Sequence, residues 1–222
     1  MENVARVLRK LKTNNSSCGP DGFPPILLKK LATQLSFHNS MSAGKIPGAW
    51  RCAIVIPIAK GGIASAASNY RPISLTSGVC KVMERAVVKY LSDYLYDHKL
   101  ISWQQHGFIT RRSTSSNLLE TLNDWTLAID NGDGITVAYI DFAKAFDSVS
   151  HQKLLCKLQN YGISGNLFEW IKNFLSERLQ CTKVGDTFSS YKYLTSGVIQ
   201  GSCLGPLLFV IYHTSHGSVR VL

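Results

Sequence analysis

Residues 78–100, "GVCKVMERAVVKYLSDYLYDHKL", constrain the fold more than any other stretch. Apolar side chains fall at 79, 82, 83, 86, 87, 90, 91, 94 and 95. That spacing is one uninterrupted stripe at the helical period, so the segment is a long helix whose stripe must be core. Other helices are marked more briefly. "ENVARVLRKLK" has Val4, Val7, Leu8 and Leu11 in phase, and Pro24/Pro25 stand where a helix through Leu35 can begin. A further helix centres on Leu118, Leu119, Leu122, Trp125 and Ile129. Ser150 can cap "HQKLLCKLQN", and "SGNLFEWIKNFLSERL" places Leu167, Trp170, Ile171, Phe174 and Leu175 on one face.

Strand signals alternate with these helices. "WRCAIVIPIAK" is rich in β-branched residues and ends near Lys60, and a Gly/Ala/Ser loop then leads to an extended segment around Pro72. "ITVAYI" is expected to be the strand that delivers Asp141, after a turn at "DNGDG". "QCTKV" and "YKYLT" are two short strands with a turn at Gly185-Asp186 between them, and "SGVIQGSCLGPLLF" is a Gly-rich loop running into an apolar helix. The mixed order predicts an α+β fold, with helices on an antiparallel or mixed sheet.

Composition narrows the class. At 222 residues with 45% hydrophobic and 17% charged residues, the chain is globular, as one large domain or two intimate lobes. No apolar run approaches the ~20 residues of a membrane span, and the N-terminus has no signal-like core, which together point to an intracellular protein. The six cysteines contain no C-x-x-C pair, which leaves zinc unsupported, and they read as reduced, mostly buried small hydrophobes. Charge is uneven. Residues 1–60 carry nine Lys/Arg against two Asp/Glu, 61–120 seven against four, and 121–222 eight against eight. The excess of +10 therefore lies in the first 120 residues, which suits a polyanionic partner, although a basic surface that serves only solubility has the same composition.

The chemistry-bearing stretch is "VAYIDFAKAFDSVSH", 137–151. Asp141 ends an apolar run, where a carboxylate either binds a metal or merely terminates the strand. Asp147, in the following turn, reads as a local hydrogen-bonder to backbone N–H groups. Arg111 and Arg112 read as solvated or phosphate-tracking cations, and His106 as a structural hydrogen-bonder in its loop.

Taken in order, "GPDG", "WRCAIVIPIAK", "NYRPISL", "QHGF", "YIDFAKAFDSVSH" and "SGVIQGSCLGPLLF" resemble the reverse transcriptases of non-LTR retrotransposons, the jockey-like elements being the nearest kind. The resemblance runs from about Cys18 to about Phe209. It implies the fingers and part of the palm of a right-hand polymerase fold: an N-terminal helix (1–17), a fingers-like basic lobe (18–134), a partial palm (135–212) and a divergent tail (213–222). It implies an RNA template, a DNA primer and deoxynucleotides as partners, and two Mg²⁺ ions, hard cations that take carboxylate and phosphate oxygens. By the same resemblance Asp141 is the first palm carboxylate and Phe142 supplies a carbonyl ligand. Phe146 stands where an aromatic ring excludes a 2′-hydroxyl, though a core aromatic fits equally. Gln200 and Gly201 match the residues along the nascent base pair, and Ile199 replaces the usual proline. Arg71 matches the arginine on the incoming triphosphate and Lys60 a lysine nearby, in a "PIAKGG" that lacks one basic residue of the usual run.

The family's second carboxylate motif, Ala-Asp-Asp, is not found. The pattern holds to about Tyr212, and no Asp or Glu follows Asp186. The expectation is a truncated reverse transcriptase domain that holds metal weakly and has no processive polymerase activity. The alternative is a non-catalytic nucleic-acid-binding remnant of the same fold. A group II intron-type enzyme shares the palm logic but fits "NYRPISL", "QHGF" and the 196–209 motif less well.

Overall fold

The computed structural model describes residues 20–22, 24 and 38–214. The expected N-terminal helix, the helix after Pro24/Pro25, Cys18 and the tail from residue 215 lie outside the described residues. Six helices are described: α1 (His38–Ser42), α2 (Gly78–Asp97), α3 (Thr114–Asp130), α4 (His151–Asn160), α5 (Gly165–Leu175) and α6 (Gly205–His213). They alternate with β1 (Cys52–Ala59), β2 (Tyr70–Thr76), β3 (Arg178–Val184), β4 (Thr187–Phe188) and β5 (Lys192–Leu194). Mixed helix and sheet is the α+β class that the sequence predicts.

The sheet runs β2-β1-β3-β4, with β5 also on β3. β1 and β2 form an antiparallel ribbon from Ala53↔Thr76 to Ala59↔Tyr70. β3 adds to the other side of β1 in parallel, but only over Cys52–Val55. That limit explains how Pro57 is tolerated in an inner strand: it lies beyond the stretch that β3 pairs, and Pro72 is on the edge strand. The turn at Gly185-Asp186 joins β3 to the two-residue β4, and β5 returns to pair with the first half of β3.

The core is mostly helical. Val82, Met83, Val87, Leu91 and Leu95 of α2 join Leu154 and Leu158 of α4, Trp170, Ile171 and Phe174 of α5, and Leu207, Leu208 and Ile211 of α6. Six of the nine α6 residues are buried, so this short helix is apolar on all sides because it runs through the middle. Ser77 caps α2 by accepting from Cys80 N–H, and Ser150 caps α4 as expected. Arg178, at the start of β3, is buried. It donates to the carbonyls of Phe174 (2.9 Å) and Trp50 (3.0 Å) and lies over the Phe174 ring, so the guanidinium is solvated by backbone in place of water.

Three expectations are corrected. Tyr90, counted in the α2 stripe, is 64% exposed, whereas Glu84, off it, is completely buried. Of the five described cysteines only Cys80 and Cys181 are buried, and Cys156 is exposed. Most consequentially, "ITVAYI" is not a strand. Residues 135–140 have no ladder partner among the described residues, and Tyr139 is 79% exposed. The physical reason is that strand geometry is stabilised by inter-strand pairing, and an apolar run with no neighbour leaves its N–H and C=O groups to water. The preceding helix α3 shares this exposure: its only buried residue is Asn117.

Two apolar helices thus differ in what covers them, and stability should report it. Leu91→Ala in α2 should cost about 2–5 kcal/mol, the usual range for a buried leucine. Leu119→Ala in α3, 68% exposed, should change stability by less than about 0.5 kcal/mol. Equilibrium urea denaturation of both variants checks this; equal losses would mean that the α3 face is covered in solution.

Candidate functional site

The β1–β2 ribbon gathers two of the predicted cations at one tip. Arg71 pairs across from Ile58, and Lys60 follows β1 directly. The connecting loop is tied down by two side chains and one backbone bond: the Asn69 side chain donates to Ile63 O (3.0 Å), Tyr70 OH to Ala64 O (2.9 Å), and the Lys60 backbone N–H to Asn69 O (2.8 Å). Both cations are exposed, and Lys60 Nζ reaches only Ser68 O at 3.5 Å. The ribbon therefore presents positive charge on an ordered hairpin tip, a geometry suited to phosphate oxygens.

Three residues along β2, Ser74 meets the Gly-rich loop. Its N–H donates to Gln200 O at 2.8 Å, and Gly201, at φ +115°, lies so close that a Cβ there would be 2.5 Å from Ser74 O. Only glycine satisfies both the backbone angle and the approach. The same loop is clipped at its start to the turn that follows Asp141. Val198 N–H donates to Phe146 O (2.9 Å), Gly197 N–H donates to Val149 O (2.8 Å), and Gly197 leaves no room for a Cβ against Asp147. Phe146 is half-buried, with its ring 4.9 Å from Phe209 and 5.8 Å from Phe108 of "QHGF". Beside the loop a cavity of about 360 Å³ is lined by Pro72, Ser74, Gln180, Tyr193, Gln200 and Asp147 among others.

Of the predicted site residues, the structure thus places Arg71 on the strand that carries the Gln200–Gly201 loop, and that loop against the Phe146 turn, with Lys60 at the ribbon tip. Asp141 and Phe142 stand apart, on the exposed segment that enters the turn; the Phe142 ring is 5.2 Å from His213. Among the described residues no group of three or more His, Cys, Asp or Glu side chains could hold a metal ion. Asp141 therefore belongs to no such group among the described residues. Asp147 is corrected: its carbonyl, not its carboxylate, is engaged, by Ser196 Oγ at 3.3 Å. Arg112 is not a solvated cation, since its Nη1 lies 3.0 Å from His106 Nε2 and 3.8 Å from Glu120 Oε1. His106 is buried and structural, as expected, with Nδ1 2.9 Å from Ser116 Oγ and Nε2 3.0 Å from Glu120 Oε2.

Sequence reasoning missed Glu84. Its carboxylate Oε2 accepts from Cys203 N–H (2.6 Å) and Leu204 N–H (2.9 Å), the two residues leading into α6. Burial pushes the Glu84 pKa up, while the two N–H bonds and the nearby Arg178 and Lys81 pull it back. The Cys80 thiol is pushed well up, by burial first and by the Glu84 carboxylate second. A signal was available: positions 80, 84, 87 and 91 share one helix face, and an acid on a buried face needs donors.

The family model for "Reverse transcriptase (RNA-dependent DNA polymerase)" matches residues 58–216. The chain is 34% identical over 179 residues to the RNA-directed DNA polymerase from mobile element jockey of Drosophila melanogaster, covering 80% of this chain and 19% of that protein. It is 30% identical to the probable RNA-directed DNA polymerase from transposon BS of the same species, covering 96% of this chain and 24% of that protein. The Pol polyprotein from type-1 retrotransposable element R2 of Popillia japonica is 29% identical over 87% of this chain and 27% of its own length. The chain thus spans about a fifth to a quarter of the curated relatives it matches.

Two measurements test this geometry. Gly201→Ala should lower stability by at least about 1–3 kcal/mol from backbone strain alone. Gly132→Ala, also at positive φ but facing open space, should cost no more than about 1–2 kcal/mol. Thermal melts of the two rank them. Glu84 contributes a pH term of defined sign: a carboxyl held more protonated in the folded state stabilises most below its ordinary pKa, and loses that contribution as pH rises toward the folded value. Subtracting the stability–pH curve of Glu84→Gln from that of the unaltered chain should leave a difference that falls with rising pH in that window. A difference that rises would mean that the N–H bonds outweigh burial.

Proposed function

The chain belongs to the reverse transcriptase (RNA-dependent DNA polymerase) family, and from that premise we propose that it is the nucleotide- and duplex-facing part of a retrotransposon polymerase. The observation that carries this reading is the convergence of three distant motifs, through Ser74 N–H to Gln200 O and Val198 N–H to Phe146 O, into one wall below a basic hairpin tip. In this reading residues 18–134 are the fingers-like part and 135–212 a partial palm, joined by the β1–β3 pairing.

Each residue then has a task. Arg71 and Lys60 hold the triphosphate of the incoming nucleotide, the planar guanidinium bridging two phosphate oxygens. Phe146, braced by Phe209, presents a ring edge that leaves no space for a 2′-hydroxyl. Gln200 and Gly201 lie along the nascent pair between RNA template and DNA primer, and the absence of a side chain at Gly201 lets the loop sit flat on β2. Asp141 and the Phe142 carbonyl would be the ligands that this part contributes to the magnesium ions, which would supply charge stabilisation for phosphoryl transfer. The described residues complete no such site, and in this reading the chain binds primer–template without extending it processively. No described helix is long and apolar enough to cross a membrane.

The alternative, a binding module that serves no polymerase, shares the basic ribbon but gives Asp141 no role. Primer extension on an RNA template with Mg²⁺ or Mn²⁺, by the chain and by Asp141→Ala, should show no processive synthesis with either. Incorporation by the first alone would show a completed metal site and refute the inactivity. Arg71→Ala should weaken binding of an RNA–DNA duplex and reduce its salt dependence by about one phosphate contact; an unchanged salt slope would remove Arg71 from the interface.

A further inference from the structure

We propose that Glu84 is a positioning residue for the Gln200–Gly201 loop: from inside the core, it sets the loop's geometry for meeting an RNA–DNA duplex. This rests on the duplex-binding reading above and adds a residue that touches neither nucleotide nor metal.

The loop is held at three points. At its start, Val198 and Gly197 donate to the turn at 146–149. In the middle, Gln200 O accepts from Ser74 on β2. At its end, the N–H groups of Cys203 and Leu204 converge on one carboxylate oxygen of Glu84. Local bonds fill the remaining span: Ser202 N–H to Ile199 O at 3.2 Å, and Gly205 N–H to Ser202 Oγ at 2.8 Å. Because Ser202 Oγ also donates to Ile199 O, the segment 199–205 behaves as one hydrogen-bonded unit. Tilting it at one end moves the other.

The first two holds are neutral, whereas the third is charge-assisted and is buried completely. Glu84 also stands on α2, whose buried residues Val82, Met83, Val87, Leu91 and Leu95 belong to the hydrophobic core. A buried acid that merely closed a helix end could be replaced by the Ser, Thr or Asn of an ordinary cap. Here the N-cap residue is Leu204, whose side chain cannot cap, and the acceptor is supplied from 120 residues away. The start of α6, and with it the exit of the loop, is thereby fixed to α2 as well as to its own Ser202.

The test uses the whole chain and a fluorescently labelled RNA–DNA primer–template duplex, with Glu84→Gln, Gln200→Ala and the double variant, each first checked for fold by circular dichroism and melting. Glu84→Gln keeps the shape of the side chain and an oxygen that can accept both N–H groups, but makes that acceptor neutral. Each single change should weaken duplex binding by about tenfold, the worth of one charge-assisted hydrogen bond. The double variant should bind no more weakly than the weaker single, because both act through one loop. Losses that add, or a Glu84→Gln chain that binds like the parent, overturn the proposal. An unaltered chain that is folded but fails to bind the duplex refutes the duplex-binding reading itself, and the inference falls with it. Should Glu84→Gln not fold, amide exchange in the unaltered chain decides. Duplex binding should slow exchange at Cys203 and Leu204, and unchanged exchange there in a chain that binds overturns the proposal.

Discussion

The close approach of Gly201 to the Ser74 carbonyl is the contact on which the candidate site depends. It brings a loop from the end of the chain onto the middle of an edge strand, leaving no space for any side chain between them. Once that contact forms, the Ser74 N–H to Gln200 O bond extends the β-ladder of β2 by one partner, and the basic tip at Arg71 becomes a fixed neighbour of the loop. The other motifs gather round it because the loop has further bonds to give: to Phe146 and Val149 at its start, and to Glu84 at its end.

Two buried charges support this arrangement. Glu84 and Arg178 lie under the loop and the sheet respectively, yet they do not form a close ion pair. The hydrogen bonds of each run to backbone: two N–H groups for Glu84 and two carbonyls for Arg178, while Glu84 Oε1 and Arg178 Nε have no hydrogen-bond partner among the described residues. Desolvation raises the pKa of the acid and lowers that of the base, so each would gain by neutralising, and the backbone dipoles are what oppose it. Such groups stabilise a fold less than leucines of equal volume, but they tolerate only one geometry. The result is specificity of placement at the two points where the sheet and α6 meet the helical core.

Much of this was legible in the sequence. The α2 helix, the β-branched run of β1 and the Ser150 cap each follow from local chemistry, and the structure shows them where the residues put them. The motifs that converge at the site could be identified, but not their contacts, because nothing in "NYRPISL" says that the serine's N–H will meet the glutamine's carbonyl. Glu84 shows the opposite failure. Its position on a buried face was visible, but the stripe was counted from apolar residues alone, so an acid among them escaped notice. Asp147 and Arg112 were misjudged because exposure and partner choice are set by elements far off in sequence. Among the described residues, exposed Asp147 offers its carbonyl, to Ser196, and Arg112 is drawn in by the His106–Glu120 pair.

The segment 135–142 carries the remaining lesson. Its pattern of Ile, Val, Tyr and Ile is that of a strand, and periodicity reads it so, but periodicity records what a segment can do once it has neighbours. A strand is a property of a pair. Asp141 is fixed from its C-terminal side by the turn at 144–149, which the loop at 197–198 clips in place; on its N-terminal side no ladder among the described residues holds it. A carboxylate that positions a metal for in-line chemistry needs both flanks held, because a ligand set is only as well placed as its least constrained member. The Arg71, Phe146 and Gln200 wall is anchored at three points and Asp141 at one. Binding of a nucleic-acid duplex therefore makes a smaller structural demand on this chain than catalysis does.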